Sequence, residues 1–131
     1  MTIIPDSYRD LLERPIVVSL ATVMPDGQPQ VTPVWAELLD GKIRINTVVG
    51  RQKERNLSER KHATVLVIDP DNPLRFLEIR GEAAPSGEDD GIAVIDKLSK
   101  DYLNIEPYPW RNPADTRITF LITPLHVVAS G

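Results

Sequence analysis

The stretch Ile43–Ala63, IRINTVVGRQKERNLSERKHA, leaves few folds open. Ile43, Ile45 and Thr47 alternate as on a half-buried strand that runs into Gly50. Good helix formers without a proline follow over residues 51–60, which predicts a short helix. Residues 62–69 then carry the nearly continuous apolar run TVLVI, which predicts a strand buried on both faces. A strand that feeds a glycine and then a helix start is an anion trap. Glycine admits close backbone approach, the first helical turn presents N–H groups, and Arg51, Lys53 and Arg55 supply charge.

That basic cluster stands in an acidic chain. Net charge is −4 over 131 residues, which argues against nucleic acid as a general partner. Cysteine is absent, so disulfides, thiolate metal sites and cysteine nucleophiles are excluded. Two histidines, His62 and His126, lie far apart in sequence, and no metal site is expected. No apolar run reaches the roughly 18 residues of a membrane span. The first residues, MTIIPDSYRDLLERP, carry acids and a proline rather than a secretory signal, so the expectation is a cytoplasmic protein with no membrane partner.

Around the central stretch the chain reads as strands with short helices, in a single domain. Residues 5–13 predict an amphipathic helix with Tyr8, Leu11 and Leu12 on its apolar face, ended by Pro15. Residues 16–24 are β-branched and predict a strand, and Pro25-Asp26-Gly27 a turn. Residues 28–39 predict a second strand, at an edge or interrupted near Pro33, because Pro29 and Pro33 remove ladder donors. With Asp40-Gly41 as the next turn, a three-strand meander is expected. Residues 74–84 predict a strand with Gly81 at a bulge or close approach. Residues 88–103 predict a helix with Ile92, Ile95, Leu98 and Leu103 as its apolar stripe. A proline-rich loop holding Tyr108 and Trp110 leads to a last strand over 117–130, with a possible break at Pro124. Six strands with three short helices point to an antiparallel barrel.

This order, together with SLATVMPDGQPQVTPVW, the R-x-K-x-x-N-L pattern of Arg51, Lys53, Asn56 and Leu57, and FLEIRGEA, resembles the pyridoxamine 5'-phosphate oxidase-like split β-barrel superfamily over nearly the whole chain. The short length is similar to the branch of flavin/deazaflavin oxidoreductases that use coenzyme F420. The resemblance implies a homodimer with two sites at its interface, each binding a cofactor that passes a hydride to an unsaturated small molecule. The sequence departs from the pyridoxamine phosphate oxidases proper, since it stops at HVVASG without their longer C-terminal segment. Oxidation of vitamin B6 is therefore not the expectation.

On this resemblance Arg51 and Lys53 anchor the cofactor phosphate at Gly50, and Thr32, Pro33 and Val34 run along the ring. Asn46 and Thr47 are candidates for the ribityl chain, although a buried asparagine also finds partners in protein. Arg55 either joins the phosphate site or pairs with Glu59 one helical turn on. Asn56 either bonds the phosphate loop or caps local backbone. Trp35, Tyr108 and Trp110 are candidates for the substrate wall, where core or interface packing is the plainer use. The acidic tail of F420 asks for cations beyond the phosphate, with Arg60 and Lys61, or Arg75 and Arg80, as candidates. FMN shares the ribityl phosphate and is the alternative cofactor. No catalytic acid or base is named, because in hydride chemistry the cofactor carries the reactive atom. The competing classes are a flavin, deazaflavin or haem carrier, for which His126 is the candidate axial ligand, and a barrel without a working slot.

Overall fold

The computed structural model describes residues 3–131. A 3-10 turn, Asp6–Tyr8, and one α-helical turn, α1 (Asp10–Glu13), lead into β1 (Val18–Val23), β2 (Pro29–Val34), β3 (Ala36–Leu39) and β4 (Lys42–Val48). Helix α2 (Gln52–Glu59) connects to β5 (His62–Ile68) and β6 (Phe76–Pro85), and α3 (Gly91–Leu103) precedes the long β7 (Arg117–Ser130). One antiparallel sheet holds the strands in the order β2-β1-β5-β6-β7-β4-β3. The mainly β barrel expected from the sequence is present, with seven strands instead of six.

The extra strand arises at Trp35. The residues expected to form one strand over 28–39 divide there. The first half pairs with β1 (Val18↔Val34 to Val23↔Pro29), the second with β4 (Ala36↔Ile45 to Leu39↔Lys42). The two halves are the opposite edges of the sheet, so the expected three-strand meander does not form. The sheet curls instead until its edges meet at a single residue, and the prolines lie on an edge, where a missing donor costs nothing. Tyr102 of α3 fastens the junction. Its hydroxyl accepts the Ala36 N–H at 3.0 Å and lies 2.8 Å from the Ile16 carbonyl, to which it donates. Its ring stacks on Trp35 with centroids 5.3 Å apart.

Inward residues of the curled sheet fill the barrel, with Leu20, Ile43, Ile45, Val65, Leu77, Ile79, Phe120 and Ile122 at 0–1% exposure. Leu11, Leu12 and Ile4 add to this core from the N-terminal turns. Strand β5 is not buried on both faces as its apolar run predicts. Ala63, Val65 and Val67 are buried, while Thr64 and Leu66 are half-exposed on the outer side of the sheet. There they join Ala21, Val31, Phe76 and Val128 around a hollow of about 480 Å³. The apolar stripe of α3 is also shifted. Val94, Ile95 and Leu98 are buried, whereas Ile92 is exposed because it lies off the face turned to the sheet.

Gly81 sits at a register shift in the β6–β7 ladder, where Arg80 faces His126 and Gly81 faces Pro124. Leu125 is thus the extra residue of a bulge, and β7 continues through Pro124 instead of breaking.

Ion pairs tie the N-terminal turns to the β5–β6 loop. Arg75 reaches Asp10 at 2.6 Å and Asp69 at 2.9 Å. Both carboxyls are held below the usual aspartate range, Asp10 by its hydrogen bond from Arg75, Asp69 by the Asp71 N–H and then Arg75. A lowered folded pKa contributes stability above the unfolded value, about pH 4, that is lost as pH falls through the folded value. The thermal midpoint of the native chain should therefore drop as pH is lowered below about 4. Arg75→Gln should begin lower at neutral pH and fall less steeply. Parallel pH profiles of the two proteins would assign the acid sensitivity to other groups.

Candidate functional site

A slot of about 390 Å³ opens beside the Trp35 junction. The ends of β2 and β4, the start of α2, helix α3, the 104–116 loop and the start of β7 all reach it. It brings together Pro33, Val34, Trp35, Asn46, Thr47, Arg51, Lys53, Tyr108 and Trp110, residues that span 77 positions of sequence between the first and the last. Val17, Ile95, Leu98 and Arg117 also line it. The sequence offered no local signal for these four. Val17 reads as strand, Ile95 and Leu98 as ordinary helix core, and Arg117 as the first residue of a strand.

Four expected residues lie outside the lining. Asn56 is fully buried, and its amide bonds Thr22 Oγ1 at 3.0 Å while its carbonyl accepts from Gln52 and Arg60. It locks α2 to β1 and has no free polar atom to offer a ligand. Arg55 is exposed and donates to Gln52, whereas Glu59 takes Arg60, so the pairing read for Arg55 with Glu59 does not form, and Arg55 lies outside the lining. Gly50, with φ +98°, makes the turn its position requires, but its N–H is already taken by Glu54 Oε1 at 2.7 Å. Glu54 is a buried carboxylate held below the usual range by the Ser58 hydroxyl and that N–H. Thr32 is half-buried on β2 and does not reach the slot.

Charge in the slot is one-sided. Among the described residues, Arg51, Lys53 and Arg117 have no carboxylate within ion-pair distance, although the chain as a whole is acidic. Burial, then the charges of Arg51 and Arg117, push the Lys53 amine below its ordinary value. Three cations that repel one another, Lys53 and Arg117 half-buried and Arg51 exposed, make an anion receptor. Thr47 is 1% exposed, and its hydroxyl is the one buried side-chain polar atom among the described residues without a hydrogen-bond partner. A buried hydroxyl left unpaired costs roughly 1–3 kcal/mol. A polar ligand in the slot would recover it.

The slot also has aromatic lining. Tyr108 meets Trp35 and Trp110 edge-on, with centroids 6.2 and 5.7 Å away. The Tyr108 N–H donates to Asp96 of α3 at 2.8 Å, and Asp96 also binds Arg111, which pins the loop to the helix. Asn46 donates to the Gly91 carbonyl at 2.8 Å and accepts from Arg117 at 3.3 Å. Its partners are protein, and its work is to set α3 and Arg117 in place. Both histidines are exposed, and neither lines the slot. Arg60, Lys61, Arg75 and Arg80, the candidates for an acidic tail, each pair with a carboxylate and lie outside the slot.

A seven-stranded sheet whose edges meet at one residue, with a cationic and aromatic slot at the seam, defines a split β-barrel of the cofactor-binding kind. The chain belongs to the pyridoxamine 5'-phosphate oxidase family, whose model matches residues 4–128. A solved structure described as an F420 reductase is 37% identical, with a TM-score of 0.81 over 95% of this chain and 98% of its own. A putative pyridoxamine 5'-phosphate oxidase from Listeria innocua is 23% identical, with a TM-score of 0.72 over 95% of each chain. A heme binding protein from Mycobacterium smegmatis is 19% identical, with a TM-score of 0.69 over 99% of this chain and 56% of its own. These last two likenesses bear on the fold alone. No curated protein sequence matches significantly.

Proposed function

We propose that the chain is an oxidoreductase that binds the deazaflavin coenzyme F420 in this slot and serves an unsaturated small molecule. The carrying observation is the convergence of Arg51, Lys53 and Arg117, without counter-charges among the described residues, on a slot that also holds the orphan hydroxyl of Thr47. The likeness to the F420 reductase supports the same choice.

In this reading Arg51 and Lys53 hold the cofactor phosphate, and Thr47 bonds the polar chain that joins phosphate to ring. The backbone at Pro33 and Val34 lies along the ring, on a strand at the edge of the sheet with no neighbour beyond it. Val17, Ile95 and Leu98 keep water from the ring face, and Trp35, Tyr108 and Trp110 orient a planar acceptor against it. When bound, the reduced deazaflavin supplies the hydride, and the chain supplies binding, orientation and a dry surface.

The proposal includes a homodimer in the cytoplasm. The outer hollow around Ala21, Val31, Leu66, Phe76 and Val128, rimmed also by Glu78 and Arg80, supports the dimer, since Val31 is 61% exposed there. No helix among the described residues is long and apolar enough to cross a membrane. FMN is the alternative cofactor, because its phosphate asks for the same cations. Haem carriage is less well supported, since neither histidine stands in the slot.

Titration of the purified protein with F420 and with FMN, followed by cofactor fluorescence, tests the choice. F420 should bind more tightly. Equal or tighter binding of FMN would reverse the cofactor assignment, and no binding of either would remove the oxidoreductase reading.

A further inference from the structure

Ten arginines are present, and among the described residues seven have a carboxylate within ion-pair distance. Of the other three, Arg55 and Arg51 are exposed and Arg117 is half-buried, and Arg51 and Arg117 line the slot. Arg117 differs from Arg51 and Lys53 in how it is held. It leaves β7 opposite Val48, its Nη1 donates to Asn46, and its guanidinium lies 4.9 Å from the centroid of the Tyr108 ring. Arg117, Tyr108 and Ile95 also line a second hollow of about 90 Å³, whose other charged members are Arg111 and Asp115. Arg51 and Lys53 do not reach it. These three residues are thus shared by slot and hollow, and Arg117 faces both.

Charge counting separates the roles. A phosphate brings between one and about two negative charges, the lower value when it is esterified on both sides. Arg51 and Lys53 answer that charge, and Arg117 is left over. Its planar fork, oriented by one amide and one ring, matches a carboxylate in two-point contact.

We infer that Arg117 is the receptor for a second anionic group of the bound ligands, a carboxylate, distinct from the phosphate held by Arg51 and Lys53. The inference rests on the proposed cofactor site for its phosphate partner. The carboxylate has two possible sources: the acceptor, or the acidic tail of the cofactor beyond its phosphate.

Two measurements distinguish them. The first uses no cofactor: calorimetric titration of cinnamate and of cinnamamide into the protein in phosphate buffer. The second compares F420 with the same cofactor after its carboxylates are converted to neutral amides, by fluorescence. In one of them the native protein should prefer the carboxylate form by about tenfold. Arg117→Gln should abolish that preference, and Arg117→Lys, which keeps the charge and loses the fork, should retain part of it. A preference in the first measurement places the carboxylate on the acceptor, and one in the second places it on the cofactor. A native protein with no carboxylate preference in either, or a preference that survives Arg117→Gln, overturns the inference. So does a loss on Arg117→Gln that is equal for the carboxylate and amide forms of the cofactor with cinnamate and cinnamamide unchanged, since Arg117 would then be a third phosphate ligand. If neither cofactor binds the native protein, the cofactor reading fails and the cinnamate pair still decides Arg117.

Discussion

Gly81→Ala should cost the fold about 3 kcal/mol or more, read as a fall in the denaturant midpoint at unchanged slope. A Cβ at this position would be driven into the backbone carbonyl of Thr123, with the Ile122 side chain 3.1 Å away. The obstructing atom is main chain in the paired strand β7, so no rotamer change relieves it. Relief requires the β6–β7 ladder to open at its bulge, and this ladder carries Leu77, Ile79, Phe120 and Ile122 into the core. Against a typical net stability of roughly 5–15 kcal/mol, such a loss is a large share. Gly27→Ala is the contrast. Its φ is +91° but nothing lies within 4 Å of the added carbon, so only the strain of a positive φ is felt, about 1 kcal/mol. If Gly81→Ala is no worse than Gly27→Ala, the bulge is softer than the contact implies.

These two glycines also mark how far sequence reasoning reaches. A turn glycine declares itself through its neighbours Pro25 and Asp26, and Gly81 declares itself as a break in an alternating strand. Both signals are local. The strand–glycine–helix–strand order of residues 43–68 was legible for the same reason, because each element announces itself by its own period. The division at Trp35 was not. The prolines say that residues 29–33 dislike a central ladder, but not that residues 36–39 will cross to the far edge of the sheet. That destination is decided by β4 and by Tyr102, which is 66 residues away. Arg117 escaped notice on the same grounds. Its meaning comes from Asn46 and Tyr108, contributed by a strand and a loop that only the closed fold brings to it. Asn56 shows the converse. A polar residue in a basic pattern was open to a phosphate-loop or a local structural role, and in the fold its polar atoms bond Thr22, Gln52 and Arg60.

Lys53→Ala should weaken cofactor binding by more than tenfold and leave the thermal midpoint of the cofactor-free protein unchanged or raised. The two halves of this expectation have one cause. Lys53 is half-buried without a counter-charge among the described residues, and burial together with Arg51 and Arg117 lowers its pKa. A lysine whose folded pKa is depressed is less stable charged in the fold than in the unfolded chain. Its charge is therefore a liability to the empty protein at neutral pH, and removing it relieves repulsion within the slot. An incoming phosphate reverses the sign, because the desolvated amine then has the partner it lacked. One charge-assisted hydrogen bond of that kind contributes roughly 1.5–3 kcal/mol, which is a factor of ten or more in affinity. Arg75 is the reverse case, since it already spends its charge on Asp10 and Asp69 and its loss weakens the fold with no bearing on the slot. Unchanged affinity in Lys53→Ala would mean that the phosphate sits elsewhere. Lost affinity accompanied by a lowered midpoint would mean that Lys53 supports the fold after all, and that the repulsion among the three cations is weaker than their lack of partners implies.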